Sequence, residues 1–334
     1  MARPTITLAC WDYDRVRPVL DGRVTVEGFD ISALVLEPSA LFPRTLSQAA
    51  FDVSELSLSS YLFQTARGDC RYTAIPVFPS RAFRHGSIYV RADAGIKTPN
   101  DLEGRLIGIP EYQMTQVVYV RGFLGDEYGV DFHKLRYRRG ATNFAGLKER
   151  LPLDLPATID IEPIPKDKST NDLIMAGELD AIIAPQPPQA FVDGDPRVRQ
   201  LFADVVAAER AYYEKTGIFP LMHILVVRKS LVEAHPALAP ALFRAFTEAK
   251  KLAMEELDAI AEASANKITL PWFAAELAQT KALMGKDFWR YGVAENAKEL
   301  SDMCRYSHEQ HLSPRLLTVG ELFVPETVEM DGGA

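Results

Sequence analysis

The chain has 334 residues, of which 47% are hydrophobic and 25% are charged, a profile typical of a folded protein with its own core. At about 150 residues per domain, this length predicts two domains. The 37 basic and 45 acidic side chains leave a net charge of −8. This charge argues against nucleic acid and against an anionic membrane surface as partners.

The cysteines and the N-terminus bear on the compartment. Cys10, Cys70 and Cys304 form no CxxC pair, and an odd count at wide spacing favours reduced thiols. The apolar run at residues 6–11 is too short for a secretory signal, and no run approaches the ~20 residues of a membrane helix. We therefore expect a cytoplasmic protein, and the sequence leaves open whether it forms a homo-oligomer.

The first part of the chain predicts alternating strands and helices, with a basic loop at residues 78–85. That loop carries Arg81, Arg84 and His85. The predicted strands span residues 5–10, 24–36, 53–58, 74–77 and 86–90, and a predicted helix spans residues 40–50.

A second unit of the same kind follows, with surface excursions at residues 136–140 and 151–156. Because strands alternate with helices, we expect parallel sheets built from βαβ units. The predicted strands span residues 105–109, 160–164 and 181–184. The predicted helices begin at residue 98, within residues 110–115 and at residue 171.

The last third is mainly helical. One more extended run, residues 218–228, precedes Ser230 and Glu233, which have the spacing of a capping box. Residues 242–263 then carry apolar side chains at helical spacing, a pattern typical of core packing. The sequence therefore predicts two α/β units with a helical C-terminal segment.

The common catalytic signatures are absent. The sequence contains no GxGxxG after a strand, no Walker loop, no GxSxG and no HExxH. His308 and His311 have a spacing that zinc could use, but without a third ligand nearby a solvated helix face is favoured.

Four loops follow predicted strands, where ligands bind in parallel α/β sheets. One of them, at residues 113–115, opens a helix, and a helix N-terminus favours an anion. Each loop also fits an ordinary turn or helix cap. The candidate ligand-binding residues in them are Asp12, Tyr13, Asp14, Glu55, Ser57, Ser59, Ser60, Gln113, Met114, Thr115 and Gln186.

Two further clusters are candidates. Arg81 and Arg84 could each bind a carboxylate with paired hydrogen bonds, the alternative being an ion pair across the two domains. Phe219 and His223 lie in the last apolar run, where a histidine is more often a core residue than a catalyst.

Eight segments resemble the 4,5-dihydroxyphthalate decarboxylase family, in order and in spacing, from about residue 5 to residue 325. They are DYDR at 12–15, DVSELSLSSY at 52–61, IPVFPSR at 75–81, FRH at 83–85, GIPEYQMT at 108–115, ERAYY at 209–213, TGIFPLMH at 216–223 and RYSHEQ at 305–310.

The resemblance implies a fold similar to that of type II periplasmic binding proteins. We then expect two α/β lobes with a ligand cleft between them. Residues 1–92 and 218–334, with the C-terminal helices, would form lobe I, and residues 93–217 would form lobe II.

The resemblance also implies non-oxidative removal of one carboxylate from 4,5-dihydroxyphthalate, or a related hydroxylated aromatic acid, which leaves protocatechuate and CO₂. Arg81 and Arg84, aided by Gln113 and Thr115, would hold a carboxylate. His223 or His85 would donate the proton to carbon, because an imidazole titrates where general acid catalysis is efficient.

The phenolic proton would go to Asp12, Asp14 or Glu55. Those three residues together with His85 could also chelate a divalent ion, although we expect no cofactor requirement. The rival hypothesis is a solute-binding protein that delivers an aromatic or dicarboxylic acid to an ABC transporter, because fold alone does not set function.

Overall fold

The computed structural model describes residues 3–147 and 149–333. They divide into two compact units. Of these residues, unit 1 contains those up to Arg81, Thr216–Ser301 and those from Leu317 onward, and unit 2 contains the described residues of Ala82–Lys215 together with Asp302–Leu316.

The strands in chain order are β1 (Thr5–Cys10), β2 (Asp30–Val35), β3 (Val53–Ser57), β4 (Tyr72–Arg81), β5 (Ile88–Arg91), β6 (Leu106–Ile109), β7 (Arg136–Arg139), β8 (Ile161–Pro163), β9 (Ala181–Ile183), β10 (Val198–Gln200) and β11 (Leu221–Arg228).

The α-helices in chain order are α1 (Arg17–Leu20), α2 (Pro38–Gln48), α3 (Leu58–Arg67), α4 (Thr115–Tyr128), α5 (Thr170–Met175), α6 (Gln189–Val192), α7 (Val205–Thr216), α8 (Lys229–Ala234), α9 (Leu238–Ala261), α10 (Phe273–Met284) and α11 (Ala297–Glu309).

Unit 1 contains a mixed sheet with the order β2-β1-β3-β11-β4. β1 pairs in parallel with β2 and β3, as expected from the alternation of strands and helices. β11 instead enters between β3 and β4 and runs antiparallel to both. The prediction of parallel strands is wrong for β11, because this strand follows the return of the chain from unit 2 and is not part of a βαβ unit.

Unit 2 also contains a mixed sheet, with the order β10-β5-β9-β6-β7-β8. β5 is antiparallel to β9 and β10, which places residues 82–92 in unit 2 rather than with the first lobe. Residues 302–316, expected in lobe I, also belong to unit 2. The assignment of residues 82–92 follows from strand pairing, which the local sequence did not reveal.

Several local predictions can be compared with the observed elements. The strand at residues 5–10 is confirmed at both ends. Residues 136–140 are not a surface excursion, because β7 pairs with β6 and β8 and buries Tyr137. The predicted loop at residues 78–85 is strand as far as Arg81. The predicted capping box at Ser230 is wrong, because α8 already begins at Lys229 and its N-cap, Arg228, makes no side-chain cap hydrogen bond.

The long helix α9 covers the core of unit 1. Leu238, Leu242, Phe246 and Ala249 recur every three or four residues and are buried, which confirms that its apolar stripe packs in the core. Across the described part of the chain, no helix is long and apolar enough to cross a membrane.

Two glycines of α4 give a matched stability test. A Cβ at Gly122 would overlap the ring of Tyr306, which is buried and held by a hydrogen bond to Asp126. At Gly125 the nearest atom to a Cβ is the Val130 carbonyl oxygen at 3.6 Å. Gly122→Ala should therefore lower the free energy of unfolding by about 1–3 kcal/mol. Gly125→Ala should raise it by about 0.5–1 kcal/mol, because alanine restricts the unfolded chain.

Urea denaturation of both variants and the parent measures these changes. Changes in the free energy of unfolding of the same sign and size in the two variants would contradict the packing of Tyr306 against α4.

Candidate active site

One edge of the unit 1 sheet gathers several of the predicted site residues. The carboxyl ends of the parallel strands β1 and β3 lie at this edge, and the antiparallel strand β11 begins there. In the β3–β11 pairing, Glu55 is opposite Leu225 and Ser57 is opposite His223. Glu55 and His223 are therefore diagonal neighbours on one face of the sheet, within reach of each other.

The Glu55 carboxylate is the centre of this edge. Its side chain is 0% exposed and accepts hydrogen bonds from four donors in the described chain. Oε1 lies 2.6 Å from Nδ1 of His223 and 2.7 Å from the hydroxyl of Tyr13. Oε2 accepts from the Trp11 amide at 2.9 Å and from the Cys10 thiol at 3.3 Å. Four bonds fill the acceptor capacity of a carboxylate.

These contacts keep Glu55 ionised. Burial alone would raise the pKa of Glu55. The hydrogen bond and charge of His223, together with the bonds from Trp11 and Tyr13, outweigh burial and hold that pKa below its usual value. Because an ionised carboxylate only accepts hydrogen bonds, it also determines which atom of each neighbour carries a hydrogen. Each of the four must present a hydrogen to it.

Tyr13 and Cys10 stay in their neutral forms. Burial, followed by the nearby charge of Glu55, raises the pKa of the Tyr13 hydroxyl far above its normal range. The same two causes raise the pKa of the Cys10 thiol well above its ordinary value. Cys10 is thus a hydrogen-bond donor to Glu55, and not the thiolate that a nucleophilic cysteine requires.

The contact with Glu55 fixes the orientation of His223. Because Nδ1 faces a carboxylate oxygen, Nδ1 carries a hydrogen and Nε2 is the atom that exchanges protons. Among the described residues nothing hydrogen-bonds Nε2, and 18% of the side chain is exposed. The Phe42 ring packs edge-on against the imidazole, with 4.9 Å between the ring centroids. His223 is thus a fixed imidazole with one accessible nitrogen.

Other predicted residues at this edge have structural partners. Asp12 is exposed and paired with Arg17, and Asp14 is paired with Arg15. Ser57 is the N-cap of α3, where its hydroxyl accepts from the amide of Ser60.

The remaining residues predicted at this edge are buried or half-buried. Ser59 and Ser60 lie within α3 and are buried. Phe219 is half-buried and packs edge-on against Trp289, with 5.4 Å between the ring centroids.

Arg81, predicted to hold a substrate carboxylate, has an internal set of partners. Its side chain is 0% exposed and lies 3.7 Å from a carboxylate oxygen of Glu299. It donates to the Phe219 carbonyl, the Arg290 carbonyl and the Asn296 side chain. Burial lowers the pKa of Arg81 to about 10 despite the opposing charge of Glu299. These bonds fasten the end of β4 to the segment before α11.

The other predicted residues belong to unit 2. Gln113 is buried and donates to Glu111, and its amide donates to Glu149 at 3.4 Å. A carboxylate of the protein thus lies at the start of α4, where the sequence predicted a substrate anion. Met114 is the N-cap of α4, and Thr115 is buried in the first turn of that helix. Arg84 is half-buried, and burial lowers its pKa to about 10. Gln186 is exposed.

His85 lies in an aromatic cage of unit 2. Its ring stacks on Phe123 at 4.5 Å between centroids and contacts Phe202 and Tyr212 at 5.1 and 5.2 Å. Both ring nitrogens are buried without a hydrogen-bond partner in the described chain. Burial lowers the pKa of His85 to about 4, so the imidazole is neutral at physiological pH. This environment suits a packing residue better than a proton donor.

The residues proposed for a divalent ion do not form a ligand set. Asp12 and Asp14 are engaged with arginines, and Glu55 has its four donors. His85 lies in unit 2, whereas the other three residues lie in unit 1. Over residues 3–147 and 149–333, no group of three or more His, Cys, Asp or Glu side chains could hold a metal ion.

Sequence reasoning missed two residues beside Tyr13. Arg15 and Trp289 pack together there, with the Arg15 Cζ 3.7 Å from the Trp289 ring centroid. Arg15 belongs to the DYDR segment, so the sequence carried a signal for it, but Arg81 and Arg84 between two apolar strands were the stronger arginine candidates. Trp289 lies in the helical third, where nothing in the pattern distinguishes it.

Two curated relatives match the chain closely. A 4,5-dihydroxyphthalate decarboxylase of Comamonas testosteroni is 43% identical over 329 residues, which cover 98% of this chain and 99% of the relative. A second protein of that name, from Pseudomonas putida, is 41% identical over 213 residues, covering 64% of this chain and 83% of the relative. No protein-family model matches.

Solved structures show the fold. The periplasmic aliphatic sulphonate binding protein SsuA of Escherichia coli superposes with a TM-score of 0.55 at 12% identity. The superposition covers 98% of this chain and 100% of that protein. This likeness confirms the expected fold class, an α/β fold of the periplasmic-binding-protein type.

The caged His85 predicts a pH dependence of stability. Between about pH 6.5 and pH 4, His85 binds a proton in the unfolded chain but stays neutral in the folded protein. His85 therefore contributes stability above pH 6.5, and this contribution, up to about 3 kcal/mol, is lost as pH falls towards 4.

His85→Phe keeps the aromatic stack and removes the titration. Denaturant unfolding at several pH values should show a shallower slope for the variant in that window, by about one proton. Equal slopes for variant and parent would show that the cage does not suppress protonation.

Proposed function

The chain belongs to the 4,5-dihydroxyphthalate decarboxylase family, and we propose that it removes one carboxylate of 4,5-dihydroxyphthalate, or of a closely related hydroxylated aromatic acid, as CO₂. The product is protocatechuate, and no oxidant or reductant is consumed. The observation that supports this proposal at the level of residues is the buried Glu55 carboxylate, 2.6 Å from Nδ1 of His223.

The reaction needs a proton at a ring carbon. The carbon that carries the departing carboxylate gains a hydrogen, and the electron pair of the broken carbon–carbon bond returns to the ring as CO₂ leaves. A hydroxyl para to that carbon donates electron density into the ring, most strongly when it has lost its own proton. The protein must therefore supply an acid at carbon and a place for an anionic substrate.

His223 is the proposed proton donor. Nε2 of the imidazolium gives its hydrogen to the ring carbon, and the neutral imidazole that remains keeps Nδ1–H directed at Glu55. The Glu55 carboxylate holds the ring in this orientation and balances the charge of the imidazolium, as an aspartate does for the histidine of a catalytic triad. Tyr13, through its hydroxyl on the same oxygen, helps to keep that carboxylate in place.

The phenolic proton needs a different acceptor. Glu55 was one candidate, but its four acceptor positions are filled and its pKa is below the usual value. Asp12 and Asp14 are exposed carboxylates in the loop after β1, the same loop that carries Tyr13. We therefore keep these two aspartates as the candidates for this step.

The rival function is that of a solute receptor. A receptor needs groups that hold a ligand, but it does not need a histidine whose Nδ1 is fixed by a buried carboxylate so that Nε2 can exchange protons. Both curated relatives are named as decarboxylases, which adds support to the enzyme. We further propose a small aromatic dicarboxylate as ligand and a cytoplasmic location, the latter supported by Cys10, Cys70 and Cys304, none of which forms a disulfide.

Two substitutions test the acid and its partner. His223→Asn should lower kcat for release of CO₂ from 4,5-dihydroxyphthalate by about 10²–10⁴-fold, the usual value of a general acid. Product binding should remain measurable. Glu55→Gln, which keeps the shape but removes the charge, should cause a loss of similar order, about 10²–10⁴-fold.

His235→Asn is the matched control, because His235 lies in unit 1 and packs against Phe29 outside this cluster. Purified parent and variants are incubated with 4,5-dihydroxyphthalate while CO₂ and protocatechuate are measured. If His223→Asn turns over at nearly the rate of the parent, His223 is not the donor. Tight binding by the parent without any CO₂ would instead favour the receptor.

A further inference from the structure

Arg15 is held rigidly beside the Glu55–His223 pair. Its Nε and Nη2 both donate to the Pro79 carbonyl oxygen, at 2.9 and 2.7 Å. The Cζ lies 3.7 Å from the Trp289 ring centroid and 4.5 Å from that of Tyr13. Trp289 is itself fixed, because its indole donates to the Phe78 carbonyl at 3.0 Å. The guanidinium is therefore preorganised.

This guanidinium has hydrogen-bonding capacity to spare. Of its five N–H donors, two bond to Pro79 and one, on Nη1, bonds to Asp14 at 2.9 Å. The other two have no hydrogen-bond partner among the described residues. The side chain is 16% exposed, whereas that of Asp14 is 49% exposed and open to replacement by another anion. A fixed arginine with two unused donors is suited to a carboxylate.

Tyr13 connects Arg15 to the proposed proton donor. Its ring lies beneath the guanidinium, and its hydroxyl is 3.5 Å from Nδ1 of His223. In a phthalate the two carboxylates stand on adjacent ring carbons. A protein group that binds one carboxylate therefore also positions the adjacent ring carbon, which carries the other carboxylate.

We propose that Arg15 binds the carboxylate that the substrate retains, and so sets the specificity for an ortho-dicarboxylate. This inference rests on the proposed function, which it deepens by naming the anchor. Arg81 is not available for the role, because its fully buried side chain is committed to Asn296, Glu299 and two carbonyls.

The test compares two ligands that differ only in the retained carboxylate, protocatechuate and catechol. Calorimetric dissociation constants are measured for the parent, Arg15→Gln, Arg15→Lys and the control Arg23→Gln. Arg23 is an exposed arginine paired with Asp21 in the same unit. Arg15→Gln should weaken protocatechuate binding by about 10–100-fold, as expected for charge-assisted hydrogen bonds, and leave catechol binding within about threefold.

Arg15→Lys should show a smaller loss that is again confined to protocatechuate, because lysine keeps the charge and loses the paired geometry. This variant also carries the test if Arg15→Gln does not fold. Arg23→Gln should bind both ligands as the parent does.

Three results would overturn the inference. The parent could bind protocatechuate no better than catechol, Arg15→Gln could leave protocatechuate binding unchanged, or the variant could weaken both ligands equally, as a purely structural role would. Failure of the proposed function has a different signature. In that case the parent releases no CO₂ from 4,5-dihydroxyphthalate, while the loss of Arg15 still weakens protocatechuate selectively.

Discussion

The buried charge of Glu55 is the constraint on which the site depends. An ionised carboxylate without access to water is costly unless hydrogen-bond donors surround it. The donors come from the end of β1, from the loop after it and from β11. The carboxylate thus connects distant segments of the chain by hydrogen bonds, and Glu55 and His223 are 168 residues apart.

The same constraint assigns the chemical states of its neighbours. Because the carboxylate only accepts, Tyr13 remains a phenol, Cys10 remains a thiol and His223 directs Nδ1–H inward. Proton exchange is then left to Nε2. In the proposed mechanism His223, a histidine in an apolar strand, is an oriented acid, and Arg15 beside it is a fixed cation that binds a carboxylate of the substrate.

The sequence predicted the local elements well and the long-range pairings poorly. The strand at residues 5–10 follows from its own apolar run. Glu55 was a candidate because it follows a predicted strand, whereas His223 became one through the family resemblance. Their contact depends on β11 entering between β3 and β4, which no local pattern specifies. Arg81 was expected to face a ligand, but its partner Asn296 lies 215 residues away. The burial of His85 likewise depends on rings from distant segments.

¹⁵N NMR of the histidine-labelled protein across a pH titration reports directly which nitrogens of His223 are protonated. If Glu55 orients His223, Nδ1 carries its hydrogen throughout the range in which Glu55 is ionised, while Nε2 gains and loses a proton. A bare Nδ1 with a hydrogen on Nε2 at neutral pH would show that Glu55 does not orient His223.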